Sequence, residues 1–252
     1  MRLKINIFSL LIFIAVIAFS HIWDNKTGRG IQFYDTDPYE IKNISIHDNV
    51  IHDIGLHGIA LSDHTTAGIS IYNNIMYNVG NGTGDGSKGG IGFAWDFVEA
   101  AIFNNIFYDI GGDGVFDLNQ ATSISLKNNI SYVNTGQNWY TGDVGFDWNK
   151  IVTAINNIWY GSSQLLPSWD TSPITSNPKF VDPVSPTRNF HLQADSPAID
   201  TGTIVSVSKD FDGIIRPQGL AYDIGAYEYV SGAIQTISDT IASSVPTGLA
   251  VM

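Results

Sequence analysis

The chain has 252 residues, a formal net charge of −12 and no cysteine, with 44% hydrophobic and only 14% charged residues. This composition excludes a disordered polyelectrolyte, and the acidity makes nucleic acid an unsuitable partner; an anionic glycan would need bridging cations. Neither disulfides nor thiolate metal sites can contribute, so a core and its hydrogen-bond ladders must carry the stability.

Residues 1 to 20 read as a secretory signal. Arg2 and Lys4 form its positive end, Ile7 to Phe19 its apolar run, and Ala18 and Ser20 are small residues suited to a cleavage after Ser20. The expectation is a secreted or cell-surface protein with no membrane insertion after cleavage, and a bacterial envelope fits the lack of cysteine. The alternatives are an uncleaved anchor or a hydrophobic first coil. His21-Ile22-Trp23-Asp24-Asn25 already resembles the middle of a coil, so residues 1 to 20 are also a candidate partial cap.

Five segments then repeat one pattern, with an apolar residue three positions before an Asn and usually a large residue two positions after it. They centre on Asn49, Asn74, Asn105, Asn129 and Asn157, at intervals of 25, 31, 24 and 28 residues. Before each Asn the chain alternates with period two, as in Ile44-Ser45-Ile46 and Ile69-Ser70-Ile71, which is strand spacing. Asn tolerates the left-handed conformation that a sharp corner needs, and stacked side-chain amides can satisfy one another. The spacing predicts an all-β protein, a right-handed parallel β-helix with coils of about 24–31 residues and an internal Asn ladder. Met76, Phe107 and Trp159 share one repeat position and are expected to form a core column.

A second strand follows each corner, announced by glycine in Gly58-Ile59-Ala60-Leu61, Gly90-Ile91-Gly92-Phe93 and Gly114-Val115-Phe116. The longest interval holds the stretch from Asn81 to Gly90, rich in glycine and polar residues and expected to be a surface loop.

Further along come Asn177-Pro178-Lys179-Phe180-Val181-Asp182-Pro183, Asp195-Ser196-Pro197-Ala198-Ile199-Asp200-Thr201-Gly202, Asp210-Phe211-Asp212-Gly213, Arg216-Pro217 and Asp223-Ile224-Gly225-Ala226-Tyr227-Glu228-Tyr229. In this order they resemble the closing region of secreted bacterial β-helix proteins of the pectin-lyase-like superfamily. With the coils upstream, the resemblance spans residues 22 to 229. Asp210, Asp212, Arg216, Asp223 and Glu228 read as hydrogen-bonding groups of a turn-rich cap rather than as a reactive centre. The organisation expected is signal 1–20, coils 21–176, closing region 177–230, and a disordered linker over 231–252. That linker ends in Val245-Pro246-Thr247-Gly248-Leu249-Ala250-Val251, which resembles the start of a fibronectin type III domain.

The resemblance implies a cleft along one face, and lyases of the superfamily pair a Lys or Arg base with Ca²⁺ held by Asp. The stretch Asp109 to Asp117 is similar to such a Ca²⁺ coil, with Asp113 and Asp117 at the matching positions and Lys150 or Lys127 as the base. Where an adjacent Asp pair is expected the chain has Gly112-Asp113, and Asp147 falls where the base belongs. Asp85, between two glycines, is a further Ca²⁺ candidate. A hydrolase reading has only Leu56-His57-Gly58 with Asp53 and Asp63 nearby. His47, His52, His57 and His64 admit a transition metal but show no coordinating pattern, and exposed polar side chains are their plainer reading. Trp139, Tyr140 and Trp148 are candidate sugar-contact residues. The function expected is engagement of extracellular polysaccharide, with a non-catalytic surface, adhesion or scaffold role favoured slightly over a Ca²⁺-assisted uronate lyase. Oligomeric state is left open.

Overall fold

The computed structural model describes residues 3–5, 15–33, 41–62, 65–83, 87–94, 98–118, 121–140, 152–161, 166–184, 186 and 188–232. Asp85, Trp148, Lys150, His64, Asp63 and the end of the tail from residue 233 lie outside the described residues.

In chain order the strands are β1 (Leu3–Ile5), β2 (Ala15–Ala18), β3 (His21–Asn25), β4 (Ile31–Phe33), β5 (Ile41–Lys42), β6 (Ile44–His47), β7 (Val50–Ile54) and β8 (His57–Ser62). They continue with β9 (Thr65–Ala67), β10 (Ile69–Tyr72), β11 (Ile75–Val79), β12 (Gly89–Ala94), β13 (Val98–Phe103), β14 (Ile106–Ile110), β15 (Phe116–Asp117) and β16 (Ala121–Lys127). The last are β17 (Ile130–Tyr132), β18 (Trp139–Tyr140), β19 (Val152–Ile155), β20 (Ile158–Tyr160), β21 (Phe180–Asp182) and β22 (Asn189–Leu192).

Three six-stranded sheets result, each joining strands one coil apart. Sheet I is β2-β6-β10-β13-β16-β19, sheet II is β3-β7-β11-β14-β17-β20, and sheet III is β1-β4-β8-β12-β15-β18. Pairing within all three is parallel. The chain therefore winds I to II to III and repeats, the parallel β-helix that the repeat predicts.

The corner between sheets I and II explains the Asx-Asn pairs. The first residue of each pair, Asp48, Asn73, Asn104, Asn128 or Asn156, has φ between 51° and 57° and turns the chain. The second builds the ladder. The Nδ2 of Asn49, Asn74, Asn105 and Asn129 donates to the Oδ1 of the next Asn at 2.9–3.0 Å. Each also donates to a backbone carbonyl of the preceding coil, as Asn105 does to Ile71 at 2.9 Å. Left-handed geometry and ladder thus fall on different members of the pair, a division of labour the sequence alone does not show. A second left-handed column, Asp24, Asp53, Asn78, Asp109 and Val133, turns the chain at the far end of sheet II.

The ladder ends at Asp170, whose Oδ2 accepts from Asn157 Nδ2 at 3.0 Å and from Trp159 Nε1 at 2.8 Å. A carboxylate only accepts, so it can stop a chain of donors without needing a further acceptor. At the other end Ala15–Ala18 pairs in register with β6, and Ser20 N donates to Asn49 Oδ1 at 3.0 Å. Residues 15–20 occupy the place of a rung, the geometry of the hydrophobic-first-coil alternative.

Inside, Ile22, Ile51, Met76, Phe107, Ser131 and Trp159 stack in one column, as expected for Met76, Phe107 and Trp159. Ser131 is tolerated there because its hydroxyl donates to Asn138 Oδ1 at 2.6 Å.

The region after Asn177 does not sit over the end of the solenoid. It lies along the outside of sheet II, where Phe180, Phe190, Leu192, Ala198, Ile224 and Tyr227 pack on the outward-facing Ile75, Ile106, Ile130 and Ile158. It is pinned to the corner residues: Asn128 Nδ2 donates to Thr203 O at 2.7 Å, and Asn73 Nδ2 to Lys209 O at 3.0 Å. Gly225 sits at φ 100°, a backbone conformation that L side chains rarely adopt, and packs closely against Ile130. Arg188 covers the rings of Tyr77 and Tyr108 at 4.7 and 5.1 Å. The solenoid's own C-terminal end is met by Trp169 and Asp170, the latter bridging to Ala154.

Candidate functional site

On sheet III the inward positions Ile31, Ile59, Ile91 and Phe116 are fully buried core. The alternate positions form the row Gln32, Ala60, Gly92, Asp117 and Tyr140. Ala60 and Gly92 are adjacent and small, so they leave room above the sheet, and the His57 ring fills it. A Cβ on Gly92 would meet His57 Nε2 at 2.6 Å, which is why no larger residue fits.

From this position His57 Nε2 lies 3.6 Å from Asp117 Oδ2, too far for a direct hydrogen bond. Both residues are buried, at 3% and 5% exposure. Gly30 N donates to His57 O, which places Arg29 beside His57 one coil earlier. Burial, reinforced by the Arg29 charge, pushes the His57 pKa down to about 3, and burial lowers that of Arg29. The imidazole is therefore neutral at physiological pH. Among the described residues, His57 Nε2 and Arg29 Nε have no hydrogen-bond partner. Unpaired buried polar atoms are costly, and the first of these two lies close to the Asp117 carboxylate.

The low pKa has a sign that can be measured. The unfolded chain takes up a proton near the ordinary 6.5, while the folded chain resists until about 3. Stability contributed by neutral His57 is full above pH 6.5 and is lost as pH falls toward 3. His57→Gln is expected to flatten the loss of thermal stability between pH 6.5 and 4, and an unchanged slope would show that His57 protonates freely.

The residues singled out from sequence are dispersed. Asp117 belongs to this site. Asp113 lies in the turn before β15, where its Oδ2 accepts from Lys88 N at 3.1 Å and its own N–H donates to Lys88 O at 2.8 Å. Lys127 ends β16 on sheet I, in register with Phe103, and so stands on a different face from Asp117. Trp139 and Tyr140 form β18, in register with Phe116 and Asp117. Among the described residues no group of three or more His, Cys, Asp or Glu could hold a metal ion. Asp113 and Asp117 are not gathered into such a group among the described residues.

Arg29 and the His57–Asp117 approach were not anticipated. The signal available was register: Gly92 is a glycine in the middle of a strand, which marks close approach by another group.

No protein-family model matches the chain, and no curated protein matches it. Among solved structures, the crystal structure of the pectate lyase Pel9A aligns over 85% of this chain with a TM-score of 0.43 and 17% identity. The chain spans 65% of that protein's length. The fold assignment rests on the strand pairing and the ladder themselves.

Proposed function

We propose that the chain is an exported β-helix module that engages extracellular polysaccharide along the outer face of sheet III, as a binding or scaffold element rather than a catalyst. The observation that carries this is the composition of that face. A neutral, buried His57 lies beside Asp117, while Lys127 stands on sheet I. A neutral imidazole, the Arg29 guanidinium and the single carboxylate of Asp117 accept from and donate to hydroxyls, and one carboxylate beside one guanidinium favours binding over metal-assisted proton abstraction. The resemblance of residues 22–229 to the pectin-lyase-like superfamily supports a glycan as the ligand.

The test is affinity electrophoresis of the purified chain in gels containing neutral or uronate polysaccharides. Parallel samples, with Ca²⁺ and with chelator, are followed by ultraviolet absorbance for unsaturated uronate products. Retardation weakened at least several-fold by Asp117→Ala, with no absorbance rise, is the expected result. A Ca²⁺-dependent rise abolished by Asp113→Ala would replace this reading with the lyase. Migration unaffected by every polysaccharide would remove the glycan altogether.

A further inference from the structure

The region that packs along sheet II begins its cover at Tyr77. One coil earlier the outer face of that sheet carries His52, and two coils earlier Trp23 and His21, with Trp23 46% exposed. His21 pairs with Val50 and Trp23 with His52, so the two histidines are diagonal neighbours across adjacent strands. Their Nε2 atoms approach to 2.6 Å.

The protonation of this pair is set by its surroundings. His52 Nδ1 is 2.6 Å from Asp53 Oδ2, and Asp53 also accepts from Asn78 Nδ2. A hydrogen bond from His52 Nδ1 to Asp53 Oδ2 at 2.6 Å leaves the lone pair of the neutral ring on Nε2. In the metal-free protein His21 Nε2–H donates to that lone pair. Carboxylate, imidazole and an outward-facing ring nitrogen form the arrangement that orients histidine ligands of metals.

We propose that His21 and His52 form a binding site for a late first-row divalent transition ion, best suited to Cu²⁺. With metal–nitrogen bonds of about 2.0 Å, adjacent nitrogens in a tetragonal ion lie roughly 2.8 Å apart, against roughly 3.3 Å in a tetrahedral one. The metal-free separation of 2.6 Å lies below both values, so the nitrogens must move apart for either geometry, and the preference for Cu²⁺ rests on the stability order of divalent ions with imidazole ligands. Exposed His21 can make the small adjustment needed. Binding requires the His21 proton to leave Nε2; it moves to Nδ1 by exchange with solvent, so no net proton is released. Trp23 lies against both rings, with centroids 4.6 Å from His21 and 6.3 Å from His52, within range for a bound Cu²⁺ to quench its fluorescence. Two protein nitrogens supply only part of a coordination sphere, consistent with micromolar rather than tighter affinity.

His47 provides an internal control. It has the same carboxylate support, Nδ1 to Asp48 Oδ2 at 2.6 Å, but its ring stacks on Tyr72 at 4.6 Å instead of facing another imidazole. The experiment titrates CuSO₄ into the purified chain at neutral pH, read by calorimetry and tryptophan fluorescence. ZnSO₄ is titrated in parallel. One equivalent of Cu²⁺ is expected to bind with quenching, more tightly than Zn²⁺. Affinity should fall at least tenfold in His21→Gln and in His52→Gln, and stay unchanged in His47→Gln. The thermal midpoint without metal reports whether each variant is folded. Equal binding by the folded double variant His21→Gln/His52→Gln, or no binding by the parent chain, would overturn the assignment.

Discussion

Arg216→Met is expected to cost the chain about 3–5 kcal/mol, because it leaves a buried carboxylate without its cation. Arg216 Nη1 donates to Glu228 Oε1 at 2.7 Å, and both side chains are fully buried. The guanidinium also donates to the carbonyls of Asp223 and Gly225, at 3.2 and 2.9 Å. Glu228 in turn accepts from the backbone N–H groups of Asp223 and Gln218, each at 2.9 Å. One cation thus organises the turns that lie against sheet II. Methionine keeps much of the volume but supplies no donor. Urea denaturation checks the loss, and Arg216→Met/Glu228→Gln should recover part of it by removing the orphaned charge. A variant within about 0.5 kcal/mol of the parent, the scale of ordinary surface changes, would mean that the pair is not buried in solution.

The same network gives that experiment a pH dependence. Asp210 accepts from Glu228 N and Ile214 N, and Asp223 from Tyr229 N and Asp200 N. Burial nevertheless raises both carboxyl pKa values from 3.8 to about 6, with neighbouring acids adding to the rise. A raised folded pKa means stability that is fully present below 3.8 and lost as pH rises through about 6. Mild acid therefore stabilises this region by relieving excess negative charge. Arg216→Met, having lost its cation, should gain more than the parent between pH 7 and 5. This trend opposes that of His57, so the parent's profile is the balance of the two and each variant exposes one side.

The solenoid was legible because its physics is periodic. A corner needs a left-handed residue and a polar group that can face inward, and Asx-Asn meets both needs every coil. The placement of residues 177–229 was not read, although a signal existed. On sheet I the pattern is Ile69-Ser70-Ile71, apolar inward and polar outward. On sheet II it is Ile75-Met76-Tyr77, Ile106-Phe107-Tyr108 and Ile158-Trp159-Tyr160, with no polar alternation. A strand apolar on both faces must be covered on both. The closing words recognised in sequence supply the cover, but only the structure lays them sideways. The His21–His52 pair was missed for a related reason. Histidines were compared by closeness in sequence, at 47, 52, 57 and 64, whereas contact across this fold joins residues one coil apart. His57 and Asp117 are separated by two coils, with a glycine in the intervening strand to let them approach, and no local motif records that.

The direction of the Asn ladder leads to the second large effect. Each Oδ1 accepts both the backbone N–H and the Nδ2 of the preceding Asn, as Asn105 Oδ1 does from Asn74 at 2.9 and 3.0 Å. Each Nδ2 then passes donors onward, Asn105 to Asn129 Oδ1 at 3.0 Å and to the carbonyl of Phe103 at 3.1 Å. An interior rung must therefore be donor and acceptor at once. Asn105→Ala strands groups on both sides, and at about 1–3 kcal/mol for each buried group left unpaired the loss should be at least roughly 3 kcal/mol. Asn105→Asp keeps the shape and the acceptor but removes the donors and buries a charge, so it should cost at least as much. At the end of the ladder the requirement is reversed. Asp170 only accepts, from Asn157, Trp159 and Ser172 N at 3.0, 2.8 and 3.2 Å. Asp170→Asn can keep the first two and lose the third, a cost of about 1 kcal/mol. Equilibrium denaturation of the three variants distinguishes position from chemistry. If Asn105→Asp were as mild as Asp170→Asn, the rungs would be interchangeable acceptors, and a directional ladder would not be what holds the coils in register.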